Sequence, residues 1–537
     1  MTAVLRVEEG SSRYLVEVEP TLTRAFELLA TAKDGVPRLR GLLLSLAAQG
    51  KLVPQDASDE PADVMLARIR TEKSSPAVND RTKPAKYLRA PSNSDEPFAI
   101  PTSWVWARLG EITTFGECDK ASDIADTTWV LDLEDIEKST GRIVRRVTFA
   151  ERRSLSDKNV FRAQDVLYGK LRPYLNKVAV ADADGVCTTE ILPFRGYGDI
   201  DPHYLRTVIQ SPYFLGYVNA KSYGMKMPRL GTDDGRNAWI SLPPLAEQHR
   251  IVARVEELMK LCDALEQNGR LADEQHARLT STLFDALAAS ESAQALAENW
   301  QRVAEHFDVL LDRSQAIDAL EQTILRLAFD GILVVPDTPA MDAPFVPSGS
   351  VVDYLNGYAF KSEWFRPRGT RLARNLNVGH GSLQWREAAC VDDGIAAELS
   401  RFSLRAGDIL ISLDRPIIST GLKYAEVSPH DLPCLLLQRV ARLQPDGTRL
   451  LPRYLLLWLN SPQFMGAIDP GRSNGVPHIS TRQLQSIALR LPSLAEQRRI
   501  VAHVEELRRL CGDLRQRLTR ARETQSRLAD ALVADVA

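Results

Sequence analysis

From Lys138 to Lys177 the chain carries eleven basic residues and three acidic ones, directly after a stretch, Glu111 to Glu137, with nine acids and one lysine. A formal net charge of −3 therefore conceals strong local fields, and local fields are what an approaching polyanion feels. Arg145, Arg146, Arg152, Arg153, Lys170, Arg172, Tyr174, Asn176 and Lys177 lie in this run, and Lys226 and Arg229 follow in the polar loop 223–229. A second basic set holds Tyr358, Lys361, Arg366, Arg368, Arg371 and Arg374, followed by a loop with Arg472, Asn474 and His478. Cationic forks interleaved with aromatic rings and amides suit phosphate neutralisation combined with contacts to base edges in a groove. Such sets also occur as plain solvated faces and turn residues, and both readings stand at this point.

The same sequence offers little for bond-breaking chemistry. It has no Gly-x-x-x-x-Gly-Lys-Ser/Thr loop to cradle phosphates, no Gly-x-Gly-x-x-Gly after a strand and no His-Glu-x-x-His. The Asn-Pro-Pro or Asp-Pro-Pro motif of amino-methyltransferases is missing as well. Glu256-Glu257 and Glu505-Glu506 are paired carboxylates, but neighbours on a helix point about 100° apart and form no acid/base dyad. Six scattered cysteines, without Cys-x-x-Cys or zinc-ligand spacing, read as reduced thiols, and no metal site is expected.

The elements that position the basic sets are written twice. Leu242-Pro-Pro-Leu-Ala-Glu-Gln and its continuation to Leu265 return from Leu491 to Leu514 with 17 of 24 positions identical. A shorter repeat pairs Leu39–Pro54 with Leu320–Pro336, and Pro202-x-Tyr204-Leu205 is echoed by Pro452-x-Tyr454-Leu455. Each half thus reads as a short helix ending at Gly50 or Gly331, a globular segment, and a long helix opening after Pro243 or Pro492.

In the first long helix Ile251, Val255, Leu258, Cys262 and Leu265 step by four and three, and the phase runs on to Leu279, Leu283 and Ala286. In the second, Ile500, Val504, Leu507, Cys511 and Leu514 hold the same phase, continued by Leu518, Ala521, Leu528 and Leu532. A stripe of that length must find a partner of similar length, and each copy is the obvious partner of the other. Gly269, Ala272 and His276 interrupt the first stripe, which predicts local loosening there, with His276 a tolerated interruption rather than a ligand.

The expected fold is α+β, with two globular domains separated by two long antiparallel coiled-coil helices and related by an approximate two-fold axis. The boundaries are an N-terminal helical region and linker at 1–96, a first globular domain at 97–241, a central helical region at 242–343, a second globular domain at 344–490 and a closing helix at 491–537. Pro-rich residues 74–100 suit a surface linker. With 44% apolar and 26% charged residues, no apolar run long enough to span a bilayer and no signal-peptide layout at the start, a folded cytoplasmic protein is expected.

These repeats also carry a family resemblance. Leu242 to Leu265, its copy from Leu491, and Leu-Ala-Ala-Gln-Gly-Lys-Leu-Val-Pro-Gln-Asp at 46–56 resemble the specificity subunits of type I restriction-modification systems. Ile100-Pro-Thr-Ser-Trp-Val-Trp-Ala-Arg-Leu-Gly-Glu-Ile112, Gly169-Lys-Leu-Arg-Pro-Tyr174 and Asn356-Gly-Tyr-Ala-Phe-Lys361 are similar to segments of that family's target-recognition domains. The resemblance covers the chain from about Leu39, while residues before it and the insert Ser290–Asp318 depart from the pattern.

The resemblance implies a non-catalytic subunit in which each recognition domain reads one half of a bipartite sequence on double-stranded DNA, with the helices as spacer. It implies two modification (methyltransferase) subunits as partners, with restriction subunits as further ones. No cofactor would be bound by this chain, since S-adenosylmethionine and ATP with Mg would sit on the partners. In the insert, Leu296, Trp300, Val303 and Phe307 form an apolar face that would either dock a modification subunit or complete the bundle. The competing class is a coiled-coil scaffold whose two lobes bind protein partners.

Overall fold

The computed structural model describes residues 3–9, 12–18, 29, 34–73, 96–153, 156–334, 343–469, 471–473 and 476–536. The expected linker lies mostly outside them. Two compact units result, one of residues 1–271 with 522–537 and one of residues 272–521. The division falls inside both long helices, Leu245–Ala288 and Leu494–Val536.

In the first unit a four-stranded sheet runs in the order Val147–Thr148, Trp129–Leu131, Gly185–Thr188, Lys158–Phe161, with the central pair parallel. A three-stranded antiparallel sheet holds Ile191–Phe194, Val166–Gly169 and Val178–Val180. The ribbon of Val105–Arg108 with Trp239–Leu242 joins the two ends of the globular segment, so its last strand delivers the chain to Pro243 and the long helix. Ile251, Val252 and Val255 of that helix enter the same core as Trp104, Phe115, Tyr204 and Phe214. The short helix Gly35–Ala48 packs Leu39, Leu42, Leu43 and Leu46 with Leu258, Leu261, Cys262 and Ala529.

The second unit repeats the plan with longer sheets. Five strands follow the order Val352–Asn356, Val440–Pro445, Ile409–Ser412, Tyr424–Glu426, His380–Gly381. The ribbon Phe345–Pro347 with Ala488–Arg490 again closes the globular segment beside its long helix. Phe284 and Leu287 of the first long helix share one core with Ile317, Leu320, Tyr454, Trp458, Ile500, Val504 and Cys511. The insert joins this core: Val303 and Leu310 are fully buried, and Leu296, Trp300 and Phe307 pack against them. The apolar face expected there completes the bundle.

The repeated Leu-Ala-Glu-Gln acquires a structural reason. Gln248 accepts the Asp201 amide (3.0 Å) and donates to the Pro243 carbonyl (3.1 Å); Gln497 accepts the Leu451 amide (2.9 Å) and donates to the Pro492 carbonyl (2.9 Å). Tyr204 donates to the Ser241 carbonyl at 2.7 Å and Tyr454 to that of Arg490 at 3.1 Å. A buried amide therefore latches each long helix to its globular segment, and a buried phenol ties that segment to the strand leading into the helix.

The stripes follow their expected phase only at first. Ile251, Val255, Leu258 and Cys262 are buried and Leu265 is half-buried; Ile500, Val504 and Cys511 are buried, with Leu507 and Leu514 half-buried. Residues 266–275 and 519–524 are then exposed, which covers Gly269, Ala272 and Ala521. Beyond these stretches the buried positions move one residue on: Thr280, Phe284 and Leu287 instead of Leu279 and Ala286, and Ala529 instead of Leu528. Leu279 and Leu528 are half exposed, at 47% and 52%, and the Leu532 side chain lies outside the described residues. An α-helix of 3.6 residues per turn drifts by roughly 20° per heptad against a 3.5 repeat, so about four heptads displace the stripe by close to one residue. His276 is held by the insert, with Nε2 3.0 Å from the Val309 carbonyl and 3.1 Å from Asp312. No described helix is long and apolar enough to cross a membrane.

Candidate nucleic-acid interface

The first unit's candidate surface is built where a strand runs out. Val166–Gly169 leaves the sheet, and Lys170 and Arg172 meet the loop 223–230 through main-chain bonds: Leu230 N to Lys170 O (3.1 Å) and Arg172 N to Pro228 O (2.7 Å). The loop closes on itself through paired bonds between Tyr223 and Arg229. Arg172 and Lys226 are exposed beside Tyr174 (51%), Tyr223 (62%), Met225 (104%) and Met227 (51%), a cationic patch with large apolar tips. Asn176 donates to the Gln210 carbonyl (2.9 Å) and Lys177 to that of Leu133 (2.6 Å), so both side chains tie down main chain of the same domain. Arg229 makes a two-pronged contact with Glu190 (2.9 and 3.1 Å), while Lys170 is half-buried.

The remaining predicted residues of this unit divide by partner. Arg145 and Arg153 are exposed, Arg153 closing a short helix with a left-handed φ of 48°. Arg146 pairs with Asp182 and lies over the Trp129 ring. Arg152, only 12% exposed, is engaged by Asp132, Glu134 and Asp135. Its charge answers the acidic stretch of this same domain.

In the second unit the basic run and the later loop belong to different cores. Tyr358 packs among Phe360, Trp364 and Phe402, with Lys361 over the Trp364 ring and 3.8 Å from Glu363. Arg366 is 3.4 Å from Asp392, and Arg368 is exposed. Arg371 donates to the His430 (2.7 Å) and Leu432 (3.1 Å) carbonyls, and Arg374 to Asn377 and the Glu387 carbonyl, so these two tie down main chain. His478 stands 2.7 Å from Asp414, beside Arg439. Arg472 lies on the hairpin Gly471–Ser473/Val476–His478 with its side chain outside the described residues, as is all of Asn474.

The structure also exposes a repeat that the sequence reading missed. Arg162-Ala-Gln-Asp-Val-Leu-Tyr-Gly-Lys-Leu-Arg-Pro173 and Arg405-Ala-Gly-Asp-Ile-Leu-Ile-Ser-Leu-Asp-Arg-Pro416 share six of twelve residues. They also share their hydrogen bonds. Asp165 accepts the Arg162 amide and Asp408 that of Arg405, both at 2.8 Å. Gln164 and Gly407, with φ of 71° and 89°, donate to Ala181 and Val427. Arg172 N reaches Pro228 O at 2.7 Å and Arg415 N reaches Pro477 O at 2.8 Å. Arg415 is exposed, next to Ile417 (45%) and Ile418 (38%). The signal that would have found it is the Arg-Ala-x-Asp turn followed seven residues later by Arg-Pro.

One loop design used twice, each time in a globular segment latched to a long helix, defines a protein built by duplication. The chain belongs to the family of type I restriction enzyme specificity subunits. It is 37% identical over 97% of its length to the Escherichia coli type I restriction enzyme EcoAI specificity subunit, covering 98% of that protein. It is 28% identical over 93% to the EcoEI specificity subunit of the same organism. A solved chain from work on "complex assembly and conformational transition of the type I R-M system" shares the fold, with TM-score 0.54 at 23% identity over 82% of this chain and 99% of that one. No family model matches the chain.

Proposed function

We propose that this chain is the DNA-recognition subunit of a type I restriction-modification enzyme, reading a bipartite duplex sequence with one globular segment per half-site. The observation that carries the reading is the duplicated exposed loop around Arg172 and Arg415 in a chain related end to end to specificity subunits. The two long helices act as an antiparallel spacer that leaves the intervening bases unread. Supporting this, Ala529 near the end of the second helix shares a core with Leu258 and Cys262 near the start of the first. Within the other unit, Phe284 near the end of the first shares a core with Ile500 and Cys511 near the start of the second.

The chain works without catalysing a reaction, in the cytoplasm. Two modification subunits supply S-adenosylmethionine chemistry, and restriction subunits, where present, supply ATP-driven cleavage. Binding measured against salt tests the reading, because each neutralised phosphate contributes a log–log slope of about −0.9. A steep fall for the chain assembled with modification subunits is expected. A flat profile, or no binding, would favour a scaffold whose lobes hold proteins.

A further inference from the structure

Arg172 and Arg415 are held in a conformation that L-residues avoid. Their φ values are 51° and 47°, a left-handed geometry that strains a non-glycine residue. Each also precedes a proline, Pro173 or Pro416, whose ring normally forces the preceding residue into extended backbone. Glycine or asparagine would relieve the strain, yet arginine stands at both places. The amide of each is fixed to the opposing loop at 2.7 or 2.8 Å, and the following proline is buried. Among the described residues neither guanidinium has a hydrogen-bond or ion-pair partner, although Arg146, Arg152, Arg229, Arg366, Arg371 and Arg374 all have one.

A rigid backbone under an unengaged guanidinium suits one task better than another. Phosphate attraction tolerates a flexible cation and a lysine serves it as well, whereas a two-pronged contact with a guanine edge requires a planar fork on a fixed base. Resting on the DNA-recognition reading above, we infer that Arg172 and Arg415 are equivalent specificity-determining residues, each reading a base edge in its own half of the target. The flanking apolar tips, Met225 and Tyr223 in one unit and Ile417 and Ile418 in the other, differ in shape, so one arginine scaffold is set among different neighbours in each half.

The test uses the full chain co-expressed with the modification subunits of its own system, reading the methylated sites by genome-wide sequencing. Arg172→Gly and Arg415→Gly delete the side chain while suiting the left-handed backbone, so both variants retain the fold. Arg172→Gly is expected to relax one position in one half-site, with discrimination there falling about 5- to 150-fold and the other half unchanged. Arg415→Gly should do the reverse, and the lysine variants should relax the same positions. An unchanged motif, equal weakening of both halves, or full restoration of the motif by lysine would overturn the inference. Absence of site-specific methylation by the unaltered chain would instead overturn the DNA-recognition reading itself.

Discussion

The guanidinium of Arg490 lies 3.1 Å from the carboxylate of Glu496, with the two side chains only 4% and 6% exposed. In the other half the corresponding Glu247 is satisfied by Trp104 (2.9 Å) and Gln55 (2.5 Å). One repeated glutamate thus anchors two helix starts through unlike donors. Glu496→Ala strands a buried cation and should destabilise the second unit by about 3–5 kcal/mol. Replacing both members with leucine should restore most of that loss. Hydrogen exchange of residues 452–467 measures both, and an alanine variant with unaltered protection would show that water already reaches the pair.

Glu247 makes a pH prediction. Burial lifts its carboxyl above the ordinary carboxylate range, opposed by the hydrogen bonds from Trp104 and Gln55. The folded state therefore holds this proton more tightly than the unfolded chain. The stabilisation is complete below the ordinary carboxylate pKa and is lost as pH rises through the raised one. The Tm of Glu247→Gln should gain on the unaltered chain as pH climbs from about 4 to 6. A difference that shrinks over this range would mean that the fold favours the charged form.

Basic residues should separate by partner. Arg152 neutralises Asp135, which is 1% exposed, and Arg152→Ala should cost about 3 kcal/mol of stability. Arg145→Ala and Lys226→Ala, both at exposed positions, should leave stability within about 0.5 kcal/mol and lower the salt slope of DNA binding by about 1 each. Calorimetry together with binding titrations distinguishes the two classes. A stable Arg152→Ala protein with weakened DNA binding would return that residue to the contact surface.

The exposed stretches 266–275 and 519–524 are the natural place to alter the spacer. Four residues inserted in each should lengthen the helices by about 6 Å, close to two base pairs. Methylome sequencing should then reveal a wider gap between unchanged half-sites. An unchanged gap would refute the helices as spacer.

Much of this was legible in the sequence because the decisive patterns are local. The seam from Ile251 to Cys262 and the Gly331 helix end, with φ of 80°, follow from spacing and from one residue's conformational freedom. Leu279 and Leu528 were misplaced because a strict heptad was carried through an exposed stretch that imposes no supercoil. The ion pairs of Arg152 and Arg229 could not be read from the sequence because their acids, Asp135 and Glu190, lie 17 and 39 residues away and only the fold brings them together. Arg415 was overlooked for the converse reason. Its distinguishing bond to Pro477 crosses 62 residues, and its side chain resembles any other solvated arginine until the backbone beneath it is seen.

The cluster that packs Leu39, Leu258 and Cys262 in the first unit also takes in Ala529 of the second long helix. On the ribosome the N-terminal half therefore cannot reach its final packing until translation has passed Ala529. A nonsense mutation just before Ala529 would damage the half synthesised first, and the loss would be felt far upstream in sequence, at Leu258 and Cys262.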